Sequence, residues 1–364
     1  MAETTPLYDR HHARGARMVD FAGYALPVQF AGVLDEHRHC RTAAALFDTS
    51  HMGQLLIRGP DAGGELAKLF TQNAAELDVG RDRYGFLLNS DGGVIDDAIL
   101  MRLGEQEFLL VVNAGTADDD RQWVQSHLGG AVEITDLRAD GWGKIDLQGP
   151  SAADVLAPLA EFELPALQYF RCRRGRIYGA ECIVSRTGYT GELGYEIMGP
   201  GDEVAALWDR LLDDERVAPA GLGARDSLRL EMCLPLYGNE LSRRRTPLEA
   251  DLMAFVGDHG FIGAEALRIR ARRGAGEKLV ALRSDGRRRP RAGDVIRRGD
   301  RKVGTITSGA FSPMLEVSIA MGYVAPDAAE VGTELSVATR RAELGITVAD
   351  KPLYKQGTAR AKLE

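Results

Sequence analysis

The sequence predicts an α+β protein: two related α+β lobes ahead of a boundary at residues 272–277, then a small all-β domain. Three observations carry this reading. A strand, Gly-Pro turn and amphipathic helix occur twice, ninety residues apart. After Gly274 the pattern changes to short β segments spaced as in a barrel or sandwich. And 364 residues exceed one small core, which sets a prior of roughly two to three domains.

Each element has a local reason. Leu34 to Phe47 reads as a helix on Leu34, His37, Arg41 and Ala45. Leu56-Ile57-Arg58-Gly59-Pro60-Asp61-Ala62 runs into Leu66, Leu69 and Phe70 at helical spacing. Asp146-Leu147-Gln148-Gly149-Pro150-Ser151-Ala152 does the same into Val155, Leu156 and Leu159. Proline fits the first helical turn because its missing N–H has no partner there anyway. Two copies are too few for a solenoid. Glu107 to Val112 reads as a strand that stops at Asn113, followed by a helix from Ala117 to Leu128. Cys182–Ser185 and Tyr195–Met198 read as strands around a glycine-rich loop. Val204–Leu212 is a helix, and Gly223-Ala224-Arg225 opens another through Glu231. The late β segments are Lys278–Leu282, Asp294–Arg297, Val303–Thr307, Ile319–Val324, Glu334–Val337 and Leu344–Val348.

Composition narrows the class. An apolar share of 45% and a charged share of 27% are ordinary for a globular protein. A net charge of −8 argues against a general nucleic-acid binder, which carries a basic stripe. The charge is uneven: Ala264 to Gly304 carries a local +9 and includes Arg287-Arg288-Arg289-Pro290-Arg291, so the remainder carries −17. That segment is either a solvated linker and hairpin or a docking surface for an acidic partner or anionic ligand tail. Cys40, Cys172, Cys182 and Cys233 form no CxxC pair and read as reduced, intracellular thiols. The first residues have no apolar signal core, and no run of 18 apolar residues exists, so a cytoplasmic location is expected.

The most informative stretch is Asp91-Gly92-Gly93-Val94-Ile95-Asp96-Asp97, a turn that becomes a strand carrying two adjacent acids. Strand neighbours point to opposite faces, so only one acid can enter a given cavity. Apolar Ala98 to Met101 follow, so the pair borders something buried. It is either a candidate catalytic carboxylate or an Asp-Gly hairpin with two surface acids. The loop Thr187 to Glu196 sets three glycines among aromatics and acids. It is either a structural hairpin or a ligand-facing loop. In the second case Tyr189 supplies a flat apolar face, and Glu196 can accept the N–H and NH₂ of an amino-pyrimidine edge. Arg225 and Arg229 sit four apart on a charged helix start. Such a helix is either a salt-bridged surface or, facing a pocket, places the Arg225 fork on a carboxylate or ring carbonyl. Gly221-Leu222-Gly223 fails the GxGxxG pattern, and His37-Arg38-His39-Cys40 has poor metal-ligand spacing for a helix.

Together these residues carry a resemblance. Thr5-Pro6-Leu7-Tyr8, Gly15 to Gly23, Leu46-Phe47-Asp48-Thr49-Ser50-His51-Met52-Gly53, Gly92 to Asp97, Arg186 to Glu192, Gly221 to Asp226 and Thr307 to Pro313 resemble the T-protein family of the glycine cleavage system. The match runs in order from about Thr5 to Tyr354. The resemblance implies an α+β, three-domain cloverleaf around a central folate channel, with two related α+β lobes and a C-terminal β-barrel-like domain. Its domains would be residues 1–53 with 138–272, residues 54–137, and residues 277–364. It implies an aminomethyltransferase with tetrahydrofolate as co-substrate and the lipoylated H-protein as partner. The carbon passes from the lipoyl arm to tetrahydrofolate, releasing ammonia and giving 5,10-methylenetetrahydrofolate. By the same resemblance Asp97 is catalytic, and Tyr84, Asn113, Tyr189, Glu196 and Arg225 contact folate, with no metal. Tyr24, Ala264, Cys233 and Pro235 depart from the family pattern, and Ala264 puts one basic contact in doubt. Rival readings are a folate-dependent demethylase of a methylated amine or sulfonium compound, and a non-catalytic folate-binding factor for iron–sulfur assembly.

Overall fold

The computed structural model describes residues 2–338 and 343–363. The chain clusters into two compact units. The first holds residues up to Gly85, Ala98–Arg225 and the tail from Gly357; the second holds Phe86–Asp97 and Asp226–Gln356.

The first unit is built on two sheets. One has six strands in the order Cys172–Ile177, Ala180–Ser185, Gly194–Pro200, Trp142–Gln148, Ala44–Asp48 and Val217–Pro219. Alternation along these strands sorts their side chains. Ile145, Leu147, Val184, Tyr195 and Ile197 face one way and pack with Val204, Leu207, Trp208 and Leu211 of the helix Gly201–Leu211. Cys172, Ile183 and Met198 face the other way and meet Leu56, Met101, Leu109 and Val111 of the second sheet. Both faces are covered, which is why Ile183-Val184 and Ile197-Met198 are apolar at consecutive positions. The second sheet has the order Asp82–Leu88, Val94–Gly104, Glu107–Val112, Gly53–Arg58 and Glu133–Asp136. Its first two strands run on covalently into Phe86–Asp97 of the second unit.

The repeated sequence is a repeated structure. Gly53–Arg58 leads through a turn to the helix Ala62–Ala67, and Trp142–Gln148 leads through the same turn to Ala152–Leu156. Gly59 and Gly149 hold φ of +143° and +145°, and a Cβ on either would strike a backbone carbonyl, of Ala131 or Ala43. Glycine alone fits both constraints. The copies meet at equivalent positions: Arg81 bridges Arg171, with Asp82 N–H donating to Phe170 at 3.1 Å and Cys172 N–H to Gly80 at 3.1 Å.

One expected element changes type. The helix read over Leu34 to Phe47 ends at Thr42, and Ala44–Asp48 is a fully buried strand. The run Ala43 to Phe47 is apolar on every side, so periodicity does not separate buried strand from buried helix. A parallel pairing of Ala44 with Val217 decides it.

In the second unit, Lys278–Ser284, Val317–Val324, Arg301–Ser312, Val295–Arg298, Glu334–Ala338 and Glu343–Ala349 close into a barrel in that order. Val280, Leu282, Ile296, Ile306, Val337 and Val348 fill its core. Arg229, on the helix start read as either a salt-bridged surface or a pocket face, is wholly buried. It donates to Glu240 at 2.9 Å and to Ser308 at 2.7 Å. Arg287 to Arg289 and Arg291 are exposed, with the Arg287 guanidinium 4.7 Å from the Phe311 ring.

Candidate functional site

Strand register assembles a polar row on the sheet face opposite the helices. Ser185 pairs with Glu196, Glu196 with Asp146, and Asp146 with Phe47, so these side chains share a face. Lys144, two residues before Asp146, joins them. Its buried ammonium donates to Asp146 at 2.6 Å, Glu196 at 2.6 Å and Thr49 at 3.1 Å. Asp146 also accepts from Thr49 at 2.8 Å and from Arg225 at 2.9 Å. Burial pushes the Asp146 carboxyl up, but Lys144 and Arg225 outweigh it and hold it below the usual carboxylate range. Two cations therefore face two carboxylates, the balance that buried charges need.

Arg225 leaves the first turn of the helix Leu222–Glu231 and lies 4.9 Å from the Tyr189 ring centroid, within reach of a cation–π contact. Tyr189 is half-buried on a loop whose neighbours are fastened. Gln148 donates to the Thr187 carbonyl at 3.1 Å and accepts from the Thr190 hydroxyl at 2.9 Å. Arg41 donates to the Thr190 carbonyl and to Glu192, both at 2.7 Å. Glu192 accepts from the Thr358 backbone at 3.1 Å, so the C-terminal tail braces the same loop.

Of the residues anticipated from the sequence, Glu196, Arg225 and Tyr189 thus join one chain of contacts through Lys144 and Asp146. The other three occupy half-buried positions on strands or strand ends. Tyr84 lies on Asp82–Leu88, Asn113 follows Glu107–Val112, and Asp97 lies on Val94–Gly104 within the second unit. The adjacent acids differ as period-2 alternation requires: Asp96 is wholly buried and Asp97 half-buried. A hairpin with two surface acids is therefore excluded.

Sequence reasoning missed four residues of this region. Lys144 and Asp146 alternate on a strand beside the second Gly-Pro turn, a signal that was legible. His51, inside the quoted Asp48 to Gly53 motif, is buried, and its Nδ1 has no hydrogen-bond partner among the described residues. Burial lowers its pKa to about 4, with Arg225 and Lys144 adding to the effect against Asp48 and Asp146. Asp82 is wholly buried and accepts from the Ser185 hydroxyl at 2.6 Å.

Comparison with known proteins identifies the family. Residues 7–259 match the family model described as the GCVT N-terminal domain. Residues 277–355 match the glycine cleavage T-protein C-terminal barrel domain. The chain belongs to the glycine cleavage T-protein family, a family of aminomethyltransferases. The aminomethyltransferase of Desulfitobacterium hafniense is 40% identical over 357 residues, covering 97% of this chain and 98% of that protein. That of Saccharopolyspora erythraea is 42% identical over 361 residues, covering 97% and 98%. The crystal structure of glycine cleavage system aminomethyltransferase T from Bartonella henselae superposes with a TM-score of 0.93 at 36% identity, covering 98% of this chain and 99% of that one. The expected T-protein fold, with mixed helices and sheets and a C-terminal barrel, is borne out.

Proposed function

We propose that this T-protein family member transfers the methylene carbon of an aminomethyl group from the lipoyl arm of an H-protein to tetrahydrofolate. Ammonia leaves, and 5,10-methylenetetrahydrofolate and the dihydrolipoyl carrier remain. The chain of contacts from Glu196 through Lys144, Asp146 and Arg225 to Tyr189 supports this reading most directly. Glu196 commits its Oε2 to Lys144. A carboxylate has about four lone-pair sites, so it can still accept from the N–H and NH₂ of a pterin edge. Tyr189 offers a ring face and Arg225 a fork for ring polar groups. The donor set therefore fits the amino-pyrimidine of a folate.

The remaining roles rest on the family pattern. Tyr84 packs and Asn113 contacts the folate, and Asp97 is the catalytic group. The attacking amine of tetrahydrofolate gains a carbon and loses a proton. A carboxylate accepts that proton or stabilises the positive charge on the transferred carbon, and Asp97 chiefly does the second. The partition into residues 1–53 with 138–272, 54–137 and 277–364, and a cytoplasmic location, belong to the same proposal. Among the described residues, no helix is long and apolar enough to cross a membrane.

The test is ammonia release from aminomethylated H-protein, with and without added tetrahydrofolate. Release that depends on the folate supports the proposal. Turnover of a small methylated amine or sulfonium donor, with none from the carrier, would replace it with a demethylase. Folate binding without turnover of either donor would replace it with a non-catalytic role.

A further inference from the structure

Asp82 stands where the two copies of the repeat meet. It opens the strand Asp82–Leu88, and its backbone N–H donates to Phe170. Its side chain is wholly buried. Oδ2 accepts from the Ser185 hydroxyl at 2.6 Å, and Oδ1 is buried with no hydrogen-bond partner among the described residues. Ser185 in turn lies 2.6 Å, oxygen to oxygen, from the hydroxyl of Thr187. The Ser185 proton goes to Asp82, so Thr187 donates to Ser185.

This short hydroxyl chain touches the site at two points. Ser185 is the cross-strand neighbour of Glu196, on the same face. Thr187 is the anchored foot of the loop that carries Tyr189, and its carbonyl is the one held by Gln148. We propose that Asp82 is a positioning residue that, through Ser185 and Thr187, sets the loop of Tyr189 and the setting of Glu196 for the folate. This rests on the folate reading of the Glu196 site.

A buried carboxylate with a bare oxygen costs far more than a neutral acid in the same place. Burial raises the Asp82 pKa to about 7, and the negative charge of Glu196 adds to it, against the nearby Cys172 thiol, the Ser185 hydroxyl and Arg171. The ionisable groups around it are Arg83 on its own strand, Arg171 and Cys172 across the repeat junction, and Glu196 beyond Ser185. In the neutral state the cations Lys144 and Arg225 are matched by Asp146 and Glu196 alone. Loss of the Asp82 proton adds a negative charge beside Glu196 that neither cation contacts.

The experiment measures tetrahydrofolate binding by the full chain at about pH 6 and about pH 8.5, either side of the Asp82 titration. Wild type should bind more weakly at the higher pH. D82N, which keeps an acceptor for Ser185 but cannot ionise, should match wild type at the lower pH and lose the pH dependence. D82A and T187V should weaken binding about tenfold at the lower pH, the loss expected from a mis-set hydrogen bond. D82N following the wild-type pH profile, or T187V binding as wild type does, overturns the positioning role. T187V keeps the test decisive if D82A fails to fold. Absence of any wild-type binding overturns the folate reading itself, and this proposal with it.

Discussion

At the residue scale, the site depends on matched charges rather than on any single group. Lys144 is the hub: it is wholly buried and holds both Asp146 and Glu196 at 2.6 Å. Replacing it by Met keeps the stem volume and leaves two buried carboxylates, with Arg225 on Asp146 their one remaining cation contact among the described residues. K144M should destabilise the protein by about 3–5 kcal/mol in guanidinium unfolding, the cost of breaking a buried pair from one side. A loss below about 1 kcal/mol, the range of an exposed pair, would show that water reaches the cluster. Asp97 makes the opposite prediction, because its side chain is half-buried and its proposed work is chemical. D97N should keep fold and folate binding while turnover falls by about two orders of magnitude. Near-normal turnover would remove Asp97 from the catalytic role. The adjacent acids were legible as a pair that must split between two faces. That Asp96 takes the buried face needed the structure, because alternation fixes opposition and not direction.

At the element scale, the ligand face is made by strands and held by glycines. A Cβ on Gly194 would fall on the Gln148 side chain, which fastens the Tyr189 loop through Thr187 and Thr190. Gln148 can move only by giving up those bonds. G194A should therefore weaken tetrahydrofolate binding about tenfold while far-ultraviolet circular dichroism stays unchanged. Unchanged affinity would mean that the loop stands without Gln148. Elements with a strong period or a punctuating turn were readable in advance. The two Gly-Pro turns, the helix after Pro200 and all six barrel strands fall where the pattern puts them. Ala44–Asp48 was misread because a strand buried on both faces has no polar side to reveal its period. The polar row was hidden for a related reason. Ser185, Glu196 and Asp146 are far apart in sequence, and only cross-strand register makes them neighbours.

At the scale of the whole molecule, two buried groups of the first unit give its stability opposite responses to pH. Asp82 has its pKa raised from 3.8 to about 7, chiefly by burial. Between those values the unfolded chain has lost a proton that the native chain keeps, so stability falls as pH rises and levels off above about 7. His51 has its pKa lowered from 6.5 to about 4, again chiefly by burial. Between those values the unfolded chain holds a proton that the native chain lacks, so stability falls as pH drops. From about 4 to 6.5 the two slopes oppose each other in the wild type. Single variants separate them. D82N leaves the histidine, so its urea midpoint should climb from about pH 4 to 6.5 relative to wild type. H51Q leaves the aspartate, so its midpoint should drop from about pH 4 to 7. Midpoints of both variants running parallel to wild type across this range would mean that neither group keeps its neutral form in the native state. A divergence in opposite directions ties both shifts to burial, because the one cause common to an acid raised and a base lowered is the cost of charge away from water.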